Sequence, residues 1–199
     1  MTTTDTSENI SSVYRFLAQC MEYPDQSWMS DNFFLALDNL LDNLGGQTEK
    51  ESIHKALAGP SKYTDSIEDL QVEYTRLFIN ARPHVVAPPY GSVYIDKSLQ
   101  GKFAGDTLAF YREKGFAMDD SADLPDHLIH ELEFLSLLAA DNDQEGEELF
   151  LKKFFRPWFR QFHQRVVAES QHPYFQVVSQ LIDFFTKEED NDGFQLNPA

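Results

Sequence analysis

The stretch Leu124-Pro125-Asp126-His127-Leu128-Ile129-His130-Glu131-Leu132-Glu133-Phe134-Leu135 decides the fold of this chain. Leu128, Leu132, Leu135 and Leu138 recur at helical spacing and form one inward stripe. Asp123 reads as the N-cap and Pro125 as a residue just inside the helix start. Asp126 and His127 then fall in the first turn, where an acidic residue suits the helix dipole. His127 stands four residues before Glu131, on one face. Three readings of that histidine stay open: a satisfied polar contact, a pH-sensitive contact, or a donor to ligand carbonyls.

The same helical spacing extends outward in both directions. Ile10, Val13, Tyr14, Leu17, Ala18 and Met21 form a stripe, with Asp5 and Glu8 as a capping box before it and Pro24 as its stop. Phe33, Phe34, Leu37, Leu40, Leu41 and Leu44 form the next, ended by Gly45-Gly46. A short helix runs from Ile53 to Leu57 and ends near Gly59-Pro60. Another opens at Ser66 and turns Ile67, Leu70, Tyr74, Leu77 and Phe78 inward. Helical spacing returns at Phe103 to Tyr111 and breaks at Gly115. A further helix covers about Glu147 to Val167, with Pro157 as a kink or break. The last runs from about Tyr174 to Phe185. The expected fold is all-α, with about eight or nine helices and essentially no sheet.

Between Asn80 and Asp96 the helical pattern disappears. Pro83, Pro88 and Pro89 cannot sit inside a helix and push the residues before them into extended conformations. Short β pairing around Val85-Val86 or Val93 is the alternative for this region. Pro88-Pro89-Tyr90-Gly91-Ser92-Val93-Tyr94 is a stiff extended segment whose two tyrosines flank a turn-permitting glycine. Such a segment presents backbone and aromatic groups to an extended peptide, or serves as a rigid linker.

Composition narrows the function classes. Sixteen Lys and Arg stand against thirty-three Asp and Glu, for a net charge of −17 over 199 residues. A nucleic-acid binder needs a basic footprint, and none is present. An acidic chain favours basic partners through steering, or is acidic only for solubility. Cys20 is the single cysteine, so no internal disulfide exists. The first nine residues lack the basic and apolar regions of a secretory signal, and no apolar run approaches the ~18 residues of a membrane span. The expected location is the cytoplasm.

Catalytic motifs fail on their own chemistry. Cys20 lies on an apolar face between Leu17 and Met21, which suits packing rather than nucleophilic attack. His130-Glu131 begins like the zinc motif H-E-x-x-H, but Phe134 takes the second histidine's place. Asp141 to Gly146 imitates the start of a calcium loop whose twelfth position is Lys152, where a bidentate Glu is needed. No glycine-rich phosphate cradle occurs. No metal and no cofactor are therefore expected. One enzyme alternative survives: Asp119-Asp120-Ser121-Ala122-Asp123 matches the D-D-x-x-D with which helical isoprenoid synthases hold magnesium and a diphosphate. Its competitor is a solvated acidic loop. A helical adaptor is the third possibility.

Taken together, three pieces resemble the TorD/DmsD/NarJ family of redox-enzyme maturation chaperones. They are Tyr74-x-x-Leu77-Phe78, Pro88-Pro89-Tyr90-x-Ser92-Val93-Tyr94, and Asp126-His127-Leu128-x-x-Glu131-Leu132-x-Phe134-Leu135. The layout is also similar, from a first helix ending in Tyr23-Pro24 to a last helix starting Tyr174-Phe175-x-x-Val178. One departure is Ile79-Asn80-Ala81-Arg82-Pro83, where the family pattern has a small glycine-containing turn.

The resemblance implies two helical lobes joined by a hinge near Asp126-His127, divided here as 1–115 with the proline-rich loop and 116–199. It implies a non-enzymatic chaperone that binds the twin-arginine signal peptide and apo form of a molybdopterin oxidoreductase until its cofactor is inserted. The residues carried over for peptide binding are Tyr74, Leu77, Phe78, Pro88, Pro89, Tyr90, Asp126 and His127, with Glu131 beside them. Asp126, Glu131 and the loop residues Asp119, Asp120 and Asp123 are expected around an apolar groove, where carboxylates meet arginines. Guanine nucleotide binding is attributed to some members, and no motif in this chain supports it. Both a monomer and a domain-swapped dimer are compatible with a long hinge.

Overall fold

The structure is a computed structural model and describes residues 3–58, 64–82, 84–119 and 123–187. The regular structure among the described residues is almost wholly helical, as the apolar spacing requires. The segments are α1 (Thr3–Cys20), α2 (Asp31–Leu44), α3 (Gln47–Leu57), α4 (Thr64–Tyr74), α5 (Gly91–Ile95) and α6 (Lys102–Glu113). There follow α7 (Leu128–Ala140), α8 (Gln144–Phe150), α9 (Arg156–Glu169) and α10 (Pro173–Thr186). Two π turns, Thr75–Ile79 and Leu151–Phe155, extend α4 and join α8 to α9. The only β feature among the described residues is an isolated antiparallel bridge between Tyr90 and His127.

Two compact units emerge, each drawn from two stretches of chain. The first holds Met1–Glu22 and Pro88–Gln164; the second holds Tyr23–Ala87 and Arg165–Ala199. The chain passes between units at 22/23, 87/88 and 164/165, whereas the sequence reading divides it once, between 115 and 116. Asp126 and His127 lie inside the first unit.

The first unit is built around α7. Leu128, Leu132, Phe134, Leu135, Leu138 and Ala139 are all buried, so this helix is covered on nearly every side. α1 packs along it, and Ser11 Oγ donates to the Ser136 carbonyl at 2.8 Å. Phe110, Tyr111, Phe134, Phe150 and Phe154 form an aromatic cluster with ring centroids 4.2 to 6.0 Å apart. Buried rings in such tilted and edge-on arrangements gain about 1 kcal/mol each beyond area burial.

In the second unit Tyr74 packs edge-on against Tyr23 and Phe78, and Phe78 against Phe175. Buried Glu73 ties this unit together. It accepts two hydrogen bonds from the Arg76 guanidinium, at 2.7 and 2.9 Å, and one from the Gln171 N–H at 2.6 Å.

Local structure departs from the sequence reading at defined points. Pro157 neither breaks nor ends its helix. Proline lacks an N–H, and its ring crowds the carbonyl four residues back. The π turn just before it widens the helix there, with the Arg156 N–H donating to the Leu151 carbonyl five residues earlier. The α4 π turn has a similar local cause. Thr75 Oγ1 donates to the Gln71 carbonyl at 2.8 Å, competing with the regular ladder, and the Asn80 N–H reaches back to Thr75. Val93 is helical, in the short α5, rather than paired as a strand. α1 ends at Cys20, four residues ahead of Pro24, and α3 begins at Gln47, earlier than Ile53. The stop after Leu44 follows expectation: Gly45 sits at φ +76°, a conformation that favours glycine. The capping-box side chains of Asp5 and Glu8, the Ser66 side chain, Gly59-Pro60 and Pro83 lie outside the described residues.

Candidate functional site

The two chemically distinctive segments of the first unit meet. The Gly91 N–H donates to the Asp126 carbonyl at 2.9 Å, and the Leu128 N–H donates to the Pro89 carbonyl at 2.9 Å. These two bonds make the Tyr90–His127 bridge. Proline explains the polarity of the pairing: Pro89 has no N–H to give, so it contributes only its carbonyl. A third bond locks the clasp, as the Ser92 N–H donates to Asp126 Oδ2 at 2.6 Å. Tyr90 OH donates to Asp123 Oδ2 at 2.8 Å, and its ring stands edge-on to His127 with centroids 4.9 Å apart.

The helix start lies later than the spacing suggests. His127, not Asp123, is the N-cap of α7, and its Nδ1 accepts from the Ile129 N–H at 3.3 Å. Asp126 is therefore not a first-turn acid serving the dipole. It precedes the helix and holds the proline segment instead. Asp123 caps its own neighbour, accepting from the Leu124 N–H at 2.7 Å.

Gly91 is needed for close approach. A Cβ there would stand 2.4 Å from Phe103 Cε1 and 3.0 Å from Trp158 Cδ1. Behind it, Trp158 is fully buried and stacked on Tyr94, with centroids 5.7 Å apart. Its indole Nε1 donates to Glu131 Oε2 at 3.0 Å. Tyr111 OH donates to the Pro125 carbonyl at 2.8 Å. Neither aromatic anchor was singled out from the sequence. The signal available was chemical: a buried Trp needs an acceptor, and Glu131 stands on a buried helix face.

Asp126 and Glu131 are fully buried, each 0 % exposed. They do not form an exposed acidic rim, in contrast to the sequence expectation. Asp126 Oδ1, Glu131 Oε1 and Ser92 Oγ are buried without a hydrogen-bond partner. Burial pushes the Glu131 carboxyl well above the usual carboxylate range; the Trp158 N–H opposes this, and the charge of Asp126 adds to it. Burial pulls His127 down to about 4, against the pull of Asp123, and His130 lowers it further. At neutral pH His127 is thus a neutral ring whose Nδ1 accepts the Ile129 N–H.

This has a pH consequence. The folded His127 binds its proton less tightly than the unfolded one, so its share of stability is present above pH 6.5 and is lost as pH falls toward 4. His127→Asn keeps a cap acceptor without a titrating ring. Urea melts between pH 7 and pH 4 are expected to show a smaller acid-induced loss in the variant than in the wild type. His172, also depressed chiefly by burial, titrates in both proteins and cancels from the difference.

Three of the other expected binding residues, Tyr74, Leu77 and Phe78, belong to the second unit's interior, at 7 %, 0 % and 5 % exposure. Pro88 and Tyr90 are half-buried and Pro89 is buried. Asp119 borders a cavity described below, and Asp120 lies outside the described residues along with residues 121 and 122. No group of three or more His, Cys, Asp or Glu among the described residues is placed to hold a metal ion. No helix among them is long and apolar enough to cross a membrane.

A sequence profile of the family described as nitrate reductase delta subunit matches residues 39–164, a span that contains the whole clasp. The chain belongs to the TorD/DmsD/NarJ family. The Tat proofreading chaperone DmsD of Salmonella typhimurium is 32% identical over 123 residues, and that of Salmonella typhi 31%. Each match spans 59% of this chain and 59% of the relative, less than two thirds of its length. A crystal structure from Archaeoglobus fulgidus, assigned as a redox enzyme maturation protein, superposes with TM-score 0.61 at 28% identity. It covers 89% of this chain and 94% of the other. The curated relatives are thus named as chaperones.

Proposed function

We propose that this protein is a cytoplasmic chaperone for a molybdopterin oxidoreductase, binding its twin-arginine leader and its apo form until the cofactor is in place. The observation that carries the reading is the clasp. Pro88–Ser92 and Asp126–Leu128, the motifs that carry the family resemblance, are joined backbone to backbone. The clasp fixes Pro88 and Tyr90 at a half-exposed edge of the first unit, with Ile95 and Leu99 exposed shortly after them. Stiff extended backbone beside apolar surface suits an extended apolar peptide. Asp126, His127 and Glu131 act in this reading as positioning residues, because burial keeps them from an incoming peptide. The net charge of −17 favours the basic start of a leader. The relatives' names, Tat proofreading chaperone, support the same reading.

Disrupting the gene in its own host tests the role in cells. The molybdopterin oxidoreductase activity of the exported fraction is expected to fall severalfold and to return when the wild-type chain is supplied. Unchanged activity of every such enzyme in the disrupted strain would contradict the proposal.

A further inference from the structure

The first unit contains a second feature that the clasp does not use. A cavity of about 240 Å³ opens beside α7, lined by Tyr111, Phe116, Phe134, Leu137, Asp119 and Glu133 among others. Its wall is aromatic: Phe134 stands 4.2 Å from the Tyr111 ring centroid and 5.5 Å from that of Phe116. Its charged residues include two acids, Asp119 and Glu133, both exposed, and His130, whose Nδ1 lies 3.1 Å from Glu133 Oε2. A third acid, Glu22, lies within electrostatic reach of Glu133. Glu22 is held above its usual range, first by burial and then by the charge of Glu133. Like charges gathered at an aromatic cavity are relieved by an inserted cation.

Shape and chemistry agree on the occupant. The cavity is smaller than the ~300 Å³ lower bound of drug-sized pockets, which suits one long side chain. A guanidinium stacks on aromatic faces and pairs with carboxylates in a fork, and its aliphatic stem lies against apolar wall. An ammonium supplies neither the plane nor the fork. Resting on the proposed function, we infer that this cavity is the receptor for one arginine side chain of the leader's Arg-Arg pair. Asp119 and Glu133 supply its carboxylates and half-buried Phe116 its stacking face, over a floor of Tyr111 and Phe134.

The test compares wild type with Asp119→Asn/Glu133→Gln, both at exposed positions, against synthetic leaders carrying Arg-Arg, Lys-Lys or Gln-Gln before one apolar run. The double variant is expected to lose about tenfold in affinity for the Arg-Arg leader, as charge-assisted fork bonds are removed. Its affinity for the Gln-Gln leader should match that of the wild type, and the Lys-Lys leader should fall between. Equal losses for all three leaders, or no loss for Arg-Arg, would overturn the arginine receptor while leaving leader binding intact. If the wild type binds none of the leaders, the proposed function itself fails, and the receptor with it.

Discussion

Trp158→Ala is expected to lower the unfolding free energy by about 4 kcal/mol, the usual range for removing a buried Trp or Phe being about 3–5 kcal/mol. Two effects add. The substitution removes a fully buried ring that touches Tyr94, Phe155, Phe159 and Phe162. It also strips Glu131 Oε2 of its donor, leaving a buried carboxyl with neither oxygen paired. Trp158→Phe separates the two, since it keeps most of the ring and loses the N–H. Urea unfolding should place it between wild type and Trp158→Ala. Equal stabilities for wild type and Trp158→Ala would mean that this packing does not support the clasp.

Asp126→Ala is the second large effect. Its side chain accepts from the Ser92 N–H at 2.6 Å in a fully buried setting. Removing the acceptor leaves that N–H unpaired, at a cost of about 2–3 kcal/mol. The backbone bond from Gly91 to the Asp126 carbonyl stays, so the segment should loosen rather than detach. Amide exchange at Ser92 should accelerate by well over tenfold, with little change at amides of the second unit. Asp126→Asn retains an acceptor and should behave close to wild type. Exchange at Ser92 unchanged in Asp126→Ala would show that the side chain does not hold the loop.

How far the sequence reaches can be judged residue by residue. The helices were legible because their cores repeat at helical spacing; α7 is the clearest case, with Leu128, Leu132, Leu135 and Leu138 all buried. That Pro88–Tyr94 and Asp126–Leu135 belong together was legible only through their joint resemblance to a family. Periodicity carries no information about which loops touch. The N-cap was misplaced at Asp123 because Asp is a favoured cap and Pro a favoured first residue. The clasp decides otherwise: the Asp126 carbonyl and the Leu128 N–H pair with Gly91 and Pro89, so the helix waits until Leu128. The burial of Asp126 and Glu131 was not legible either. Charged residues in a motif read as ligand groups, and only the tertiary contacts of Ser92 and Trp158 show that they serve the interior. Pro157 misled for a comparable reason, since a π turn absorbs what a regular helix cannot.

In the proposed function this acidic helical protein recognises a basic, then apolar, leader. The most direct measurement is calorimetric titration of the wild-type chain with a panel of synthetic twin-arginine leaders from one genome, at low and high salt. At least one leader should bind, more weakly as ionic strength rises, because screening reduces the attraction between the −17 chain and the arginines. Absence of binding to every leader at low salt would contradict the account.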